Sequence, residues 1–83
     1  MATIERLKGI LRDALQLGDR ADRLVPSTQL LGGIPEFDSM TVVTVLGMIE
    51  EEFGFTVSDD EVSMELFQTL GALTDFVDSK LAS

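Results

Sequence analysis

The residues best placed to do chemistry are Asp38-Ser39-Met40. They follow Gly32-Gly33-Ile34-Pro35-Glu36-Phe37 and open an amphipathic run that ends in Glu50-Glu51-Glu52-Phe53-Gly54. One serine thus stands at the mouth of a helix, with an acid before it and an apolar side chain after it. What it can do is bounded by what the chain lacks. With no His and no Cys, there is no ordinary general base at neutral pH, no Ser-His-Asp arrangement, and no thiolate nucleophile or metal ligand. Nothing in the chain activates Ser39, so a base must come from another protein and any thiol must arrive on a cofactor. Taken alone, Asp-Ser before a helix is an N-cap worth about 1 kcal/mol, and so short a motif does not specify a function.

Two acidic groups are the other candidates. Glu50, Glu51 and Glu52 lie near a helix C-terminus, where each opposes the macrodipole by a few tenths of a kcal/mol. They are either a solvated face or a contact surface for a basic partner. Asp59, Asp60 and Glu61 lack the spacing and glycine of a calcium loop. Ser58 and Glu61 instead have the spacing of a capping box, so no metal site is expected. Met48, Met64 and the Phe residues read as packing. Gly47, mid-helix, costs about 1 kcal/mol against Ala and points to a close approach by another helix, a partner or a cofactor arm.

Four helices are expected to position these residues. Ile4, Leu7, Leu11, Ala14 and Leu15 recur at three and four residues, which predicts a first helix from Thr3 to about Leu17, with Gly18 as its left-handed end. Asp19 to Arg23 is charged and without an apolar stripe. Residues 24–38 contain Pro26, Gly32, Gly33 and Pro35 among Val25, Leu30, Leu31, Ile34 and Phe37. That composition predicts a long loop anchored on the core. A second helix runs from Asp38-Ser39 to Phe53; its β-branched Val42-Val43-Thr44-Val45 suits a strand, but the helical register continues through the glutamates. A short third piece lies around Val62 to Phe67, and Thr69 caps a last helix with the stripe Leu70, Leu73, Phe76, Val77 and Leu81. The fold class is all-α: a four-helix bundle with three longer helices, one short one, and a long loop after the first. The expected domain is single and spans 1–83.

Eighty-three residues with 45% hydrophobic composition build one small core and exclude a two-domain enzyme. The net charge of −9 is uneven: residues 1–23 hold five basic and four acidic residues, whereas residues 24–83 hold one basic and eleven acidic. Such a surface repels phosphate backbones and anionic lipid, so neither nucleic acid nor membrane is an expected partner. The start, Met-Ala-Thr-Ile-Glu-Arg, has no basic stretch leading into an apolar segment, and no run reaches the roughly 18 apolar residues of a span. A cytoplasmic monomer is expected.

The joint pattern resembles the acyl carrier protein family, including the related peptidyl carrier domains. Asp38-Ser39-Met40 stands as the family's acid, serine and Leu or Met after a glycine-containing loop. The likeness continues through Val42-Val43, Leu46, Ile49, Glu50-Glu51-Glu52-Phe53-Gly54, Val57 and Phe67-Gln68-Thr69-Leu70. The resemblance implies that Ser39 receives 4'-phosphopantetheine from coenzyme A through a phosphopantetheinyl transferase. It implies a non-catalytic carrier of acyl or aminoacyl thioesters, with a cleft between the second, third and last helices for the cargo. A helix N-terminus, with free N–H groups and about half a positive charge, suits the phosphodiester. The implied partners are loading enzymes, synthases and acyltransferases with basic docking patches, met by Asp38, Glu50 and Glu51, with Met40 as the apolar contact. Thr41 and Thr44 stand where many family members carry acids, which points to a dedicated set of partners. The competing reading is an acidic helical interaction module in which Ser39 only caps.

Overall fold

The structure is a computed structural model and describes residues 2–82; the ends of the expected domain, Met1 and Ser83, lie outside them. Three α-helices carry the fold: α1 (Thr3–Leu15), α2 (Ser39–Phe53) and α3 (Leu70–Ala82). Three 3-10 helices fill the connections: η1 (Gly18–Arg23), η2 (Asp59–Glu61) and η3 (Glu65–Phe67). The expected short third helix is the pair η2 and η3. The β-branched run of residues 42–45 is helical throughout.

Each α-helix buries one stripe. Leu7, Ile10, Leu11 and Leu15 of α1, Val45 and Ile49 of α2, and Leu70, Leu73 and Val77 of α3 meet in one cluster, closed by Leu30, Phe37, Leu66 and Phe67. Complete burial of such a side chain contributes roughly 1.5–3 kcal/mol. Among the described residues no polar or charged side chain is buried. α1 packs against both α2 and α3, and at the surface the Thr3 hydroxyl donates to Asp78 Oδ1 at 2.6 Å.

The first helix ends at Leu15, where its stripe ends and two residues before the expected Leu17. Gln16 turns left-handed (φ 54°), and Leu17 N–H returns to the Arg12 carbonyl at 3.0 Å. This turn sends Leu17 back into the core at 5% exposure. Gly18 is left-handed as expected (φ 58°), but it begins η1 rather than closing α1. The charged stretch after it is a 3-10 helix with one buried residue, Ala21. A single small anchor leaves no periodicity to read.

The long loop is anchored by backbone pairing as well as by apolar contact. Leu30 and Leu31 donate to the carbonyls of Gln68 and Phe67, while Leu70 and Gly71 donate to those of Thr28 and Pro26, at 2.8–3.1 Å. Gln29 and Thr69 form an isolated antiparallel bridge. The Phe37 and Phe67 rings, 5.6 Å apart, lock the loop's end above η3. Gly33 is required by this fold, because a Cβ there would lie 2.4 Å from the Gln29 carbonyl oxygen.

Candidate functional site

The chain enters α2 extended at Asp38 (φ −120°, ψ −176°). Asp38 Oδ1 accepts from the N–H groups of Met40 (3.1 Å) and Thr41 (2.9 Å) and from the Thr41 hydroxyl (2.6 Å). In return, Asp38 N–H donates to Thr41 Oγ1 at 2.9 Å. This is a reciprocal capping box with Thr in the place of the usual Glu or Gln. The Glu36 carbonyl lies 3.0 Å from the same hydroxyl as a second acceptor. These bonds, that of the Thr41 hydroxyl first, hold the Asp38 carboxyl below its ordinary pKa. Glu36 is held low too, by hydrogen bonding to its own backbone N–H and then by Arg20 of η1, whose guanidinium pairs with it.

Asp38 therefore makes the cap and Ser39 does not. Ser39 is the first residue of α2 and is exposed. The expectation that first-turn N–H groups stand free for a phosphodiester needs correction, since those of Met40 and Thr41 are taken by Asp38. What remains at Ser39 is the positive end of the helix dipole and an accessible hydroxyl. The residues fit a covalent attachment point set outside the cap, not a phosphate-binding pocket. From sequence, Thr41 stands out only as a departure from the family's acids, not for its part in the cap, and Arg20 does not stand out at all. The D-x-x-T spacing signals Thr41, but nothing local signals Arg20, sixteen residues from Glu36.

Beside Ser39 opens a cleft of about 400 Å³, walled by Leu31, Val42, Val62, Ser63, Met64 and Phe67. Its walls are the long loop, α2 and the η2–η3 segment. The last helix, α3, was expected to be a wall and supplies none of the lining residues. The loop's pairing with Phe67 and Gln68 puts Leu31 at that side of the cleft instead. A larger groove of about 740 Å³, between α1, η1 and α2, has Arg6, Lys8, Arg12, Glu51 and Glu52 on its walls and does not include Ser39.

The three glutamates at the end of α2 have different surroundings. Glu50 is half-buried, and its Oε2 accepts Val57 N–H at 2.7 Å. Glu52 pairs with Arg6 at 3.0 Å, and the same guanidinium donates to the Glu52 carbonyl and lies 4.3 Å above the Phe53 ring. A cation at a helix C-terminus offsets the unfavourable placement of the acids. Glu51 is exposed. In the Asp59-Asp60-Glu61 stretch, Glu61 accepts Ser58 N–H at 2.9 Å and both its oxygens lie 3.0 Å from Lys80 Nζ. The Ser58 bond first, and Lys80 after it, lower the Glu61 pKa. Among the described residues, no group of three or more His, Cys, Asp or Glu side chains is placed to hold a metal ion.

With a serine exposed at a helix start beside an apolar cleft, comparison with known proteins becomes decisive. The family described as the phosphopantetheine attachment site matches residues 5–77. The chain belongs to the phosphopantetheine-attachment family. It is also similar to a holo acyl carrier protein from Nitrosomonas europaea, determined by solution NMR. The two are 49% identical over 100% of each chain, with a TM-score of 0.93. The fold is thus the acyl carrier fold. The chain is a carrier protein whose prosthetic group is covalent 4'-phosphopantetheine, and carriers of this family work with biosynthetic enzymes. This membership decides against an interaction module without a prosthetic group. Among the described residues no helix is long and apolar enough to cross a membrane.

Proposed function

We propose that Ser39 is the attachment residue and that residues 1–83 act as one carrier domain, without catalysis of their own. The observation that carries this reading is the exposed Ser39 hydroxyl on the first residue of α2, at the rim of the apolar cleft. When attached, the group supplies the thiol that the sequence lacks. The chain's own residues hold the attachment point in place: Asp38 and Thr41 fix the helix start, and the Glu36–Arg20 pair ties the preceding loop to η1.

The cleft favours an uncharged acyl cargo over an aminoacyl one. Besides Ser39, its lining is apolar apart from Ser63, with no carboxylate to receive an ammonium group. The partners on this reading are a phosphopantetheinyl transferase and loading enzymes, synthases or acyltransferases with basic docking patches. Asp38, Met40, Glu50 and Glu51 surround their approach. Met40 and Glu51 point outward, whereas the carboxylates of Asp38 and Glu50 also serve the fold. A net charge of −9 supports a soluble monomer, and on this reading it works in the cytoplasm.

The test is the intact mass of the chain after incubation with coenzyme A, Mg2+ and a broad-specificity phosphopantetheinyl transferase. The wild type gains one phosphopantetheine and Ser39→Ala gains none, with unchanged helical circular dichroism. A gain in Ser39→Ala, or none in folded wild type, overturns the assignment.

A further inference from the structure

Oxidants meet few targets in this chain. It has no Cys, His, Trp or Tyr and four Met, so peroxide chemistry falls on the methionine sulfurs. Met40, Met48 and Met64 lie among the described residues. Met48 is half-buried and lines the groove that does not include Ser39. The other two flank the attachment residue: Met40, 82% exposed, follows it in the chain, and Met64, 77% exposed, lines the same cleft. The remaining apolar side chains of that cleft, Leu31, Val42, Val62 and Phe67, are half-buried or buried and form fixed walls. Met64 differs from them. Its backbone is held, because its carbonyl accepts Phe67 N–H at 3.2 Å, but its side chain belongs neither to the core nor to the apolar residues packed against the core. A long, unbranched thioether on a fixed backbone at the rim of an apolar cleft can swing over whatever enters.

We propose that Met64 is an oxidation-sensitive lid: as a thioether it closes over the acyl chain in the cleft, and its conversion to the sulfoxide by a peroxide uncovers that chain. The proposal rests on Ser39 as the attachment residue and on the cleft as the shelter of its cargo. In the reaction the Met64 sulfur lone pair attacks one peroxide oxygen; an S–O bond forms and the O–O bond breaks. The leaving hydroxide takes the proton from the transferred oxygen and departs as water. The sulfur is oxidised, the peroxide is reduced, and the chain gains one oxygen atom. A sulfoxide is polar and keeps its water, so the side chain stays outside the apolar cleft and the cargo loses its cover. The walls carry no group that reacts with peroxide, so the lid alone responds. Met40 does not line the cleft, and its oxidation leaves the shelter as it was. Reduction of the sulfoxide by a methionine sulfoxide reductase restores the lid.

The experiment loads the wild type, Met64→Leu, Met40→Leu and Met64→Gln from octanoyl coenzyme A with a broad-specificity phosphopantetheinyl transferase, and intact mass checks each product. Part of each sample is treated with hydrogen peroxide, then catalase, and peptide mapping locates the added oxygen. Cleavage of the thioester by hydroxylamine is then followed, with octanoyl-pantetheine as the unsheltered reference. Both positions are exposed, so the variants fold, as circular dichroism checks. Untreated wild type is expected to cleave more slowly than the reference, and oxidation at Met64 to speed cleavage roughly fourfold, the factor that one lost methylene contact carries. Met64→Gln, polar without any peroxide, is expected to match the oxidised wild type. Oxidised Met64→Leu should keep the rate of its own untreated sample, while Met40→Leu should respond to peroxide as the wild type does. A wild-type rate equal to the reference overturns the proposal, as does an oxidised wild type as slow as the untreated one. So does a Met64→Leu that responds to peroxide like the wild type. No gain of mass by the folded wild type instead removes the Ser39 assignment itself, and this proposal with it.

Discussion

Replacing Gly47 with Ala should make the protein more stable, and the size of the gain follows from the structure. The residue lies inside α2, with helical rather than left-handed backbone, and an added methyl group meets no atom within 4 Å. The substitution therefore brings no clash and no backbone strain. What changes is the unfolded chain, which loses the extra freedom of glycine, and the intrinsic helix propensity, which improves by about 0.8–1 kcal/mol. In an 83-residue domain, a change of that size raises Tm by about 4–8 °C. Urea unfolding followed by circular dichroism at 222 nm reads the effect as a higher midpoint at unchanged slope. Gly54→Ala is the internal control: Gly54 closes α2 at φ 77°, so the same methyl should cost about 1–2 kcal/mol there. An unchanged or lowered midpoint for Gly47→Ala, with Gly54→Ala behaving as expected, refutes the claim that the fold does not need Gly47.

Other consequences are equally direct. Phe67→Ala removes a ring that is 2% exposed and packed on Phe37; a loss of about 3–5 kcal/mol rivals the whole stability of so small a domain, and thermal unfolding should show a collapsed or absent transition. Asp38→Asn should lower the urea midpoint at neutral pH, because a carboxylate at a helix N-terminus exceeds an amide as acceptor there. Asp38 has a pKa below its ordinary value of 3.8 in the folded chain, so its contribution is complete above that value and is lost as pH falls through the lower folded one. The gap between wild type and variant should accordingly close below about pH 4, and a gap independent of pH would refute the charged cap. Lys80→Met should loosen the η2 segment by removing the pair with Glu61. Faster amide exchange around residues 59–65, with α1 protected as before, is the expected readout.

Much of this protein is legible along the chain because the deciding interactions are short in sequence. The stripes of α1 and α3, the glycine that ends α2, the reach of Glu61 back to Ser58 and the Thr69 cap all act within about four residues, the range over which a helix turn closes. Ser39 is legible for the same reason: an acid, a serine and an apolar residue at a helix start form a local pattern, which gained its meaning from the family likeness around it. The tertiary structure decided what local spacing cannot reach. Arg6 with Glu52, Arg20 with Glu36 and Lys80 with Glu61 are pairs between elements, and no periodicity announces them. Burial of Leu17 and Ala21 turned the stretch after α1 into a 3-10 helix. Pairing of the long loop with residues 67–71 set Leu31, rather than α3, at the wall of the cleft. Both faces of α2 are largely uncharged, so composition did not say which one the core takes. Packing buried Val45 and Ile49 and left Met40, Val43 and Gly47 to solvent, because a core of this size closes over only one side of a helix.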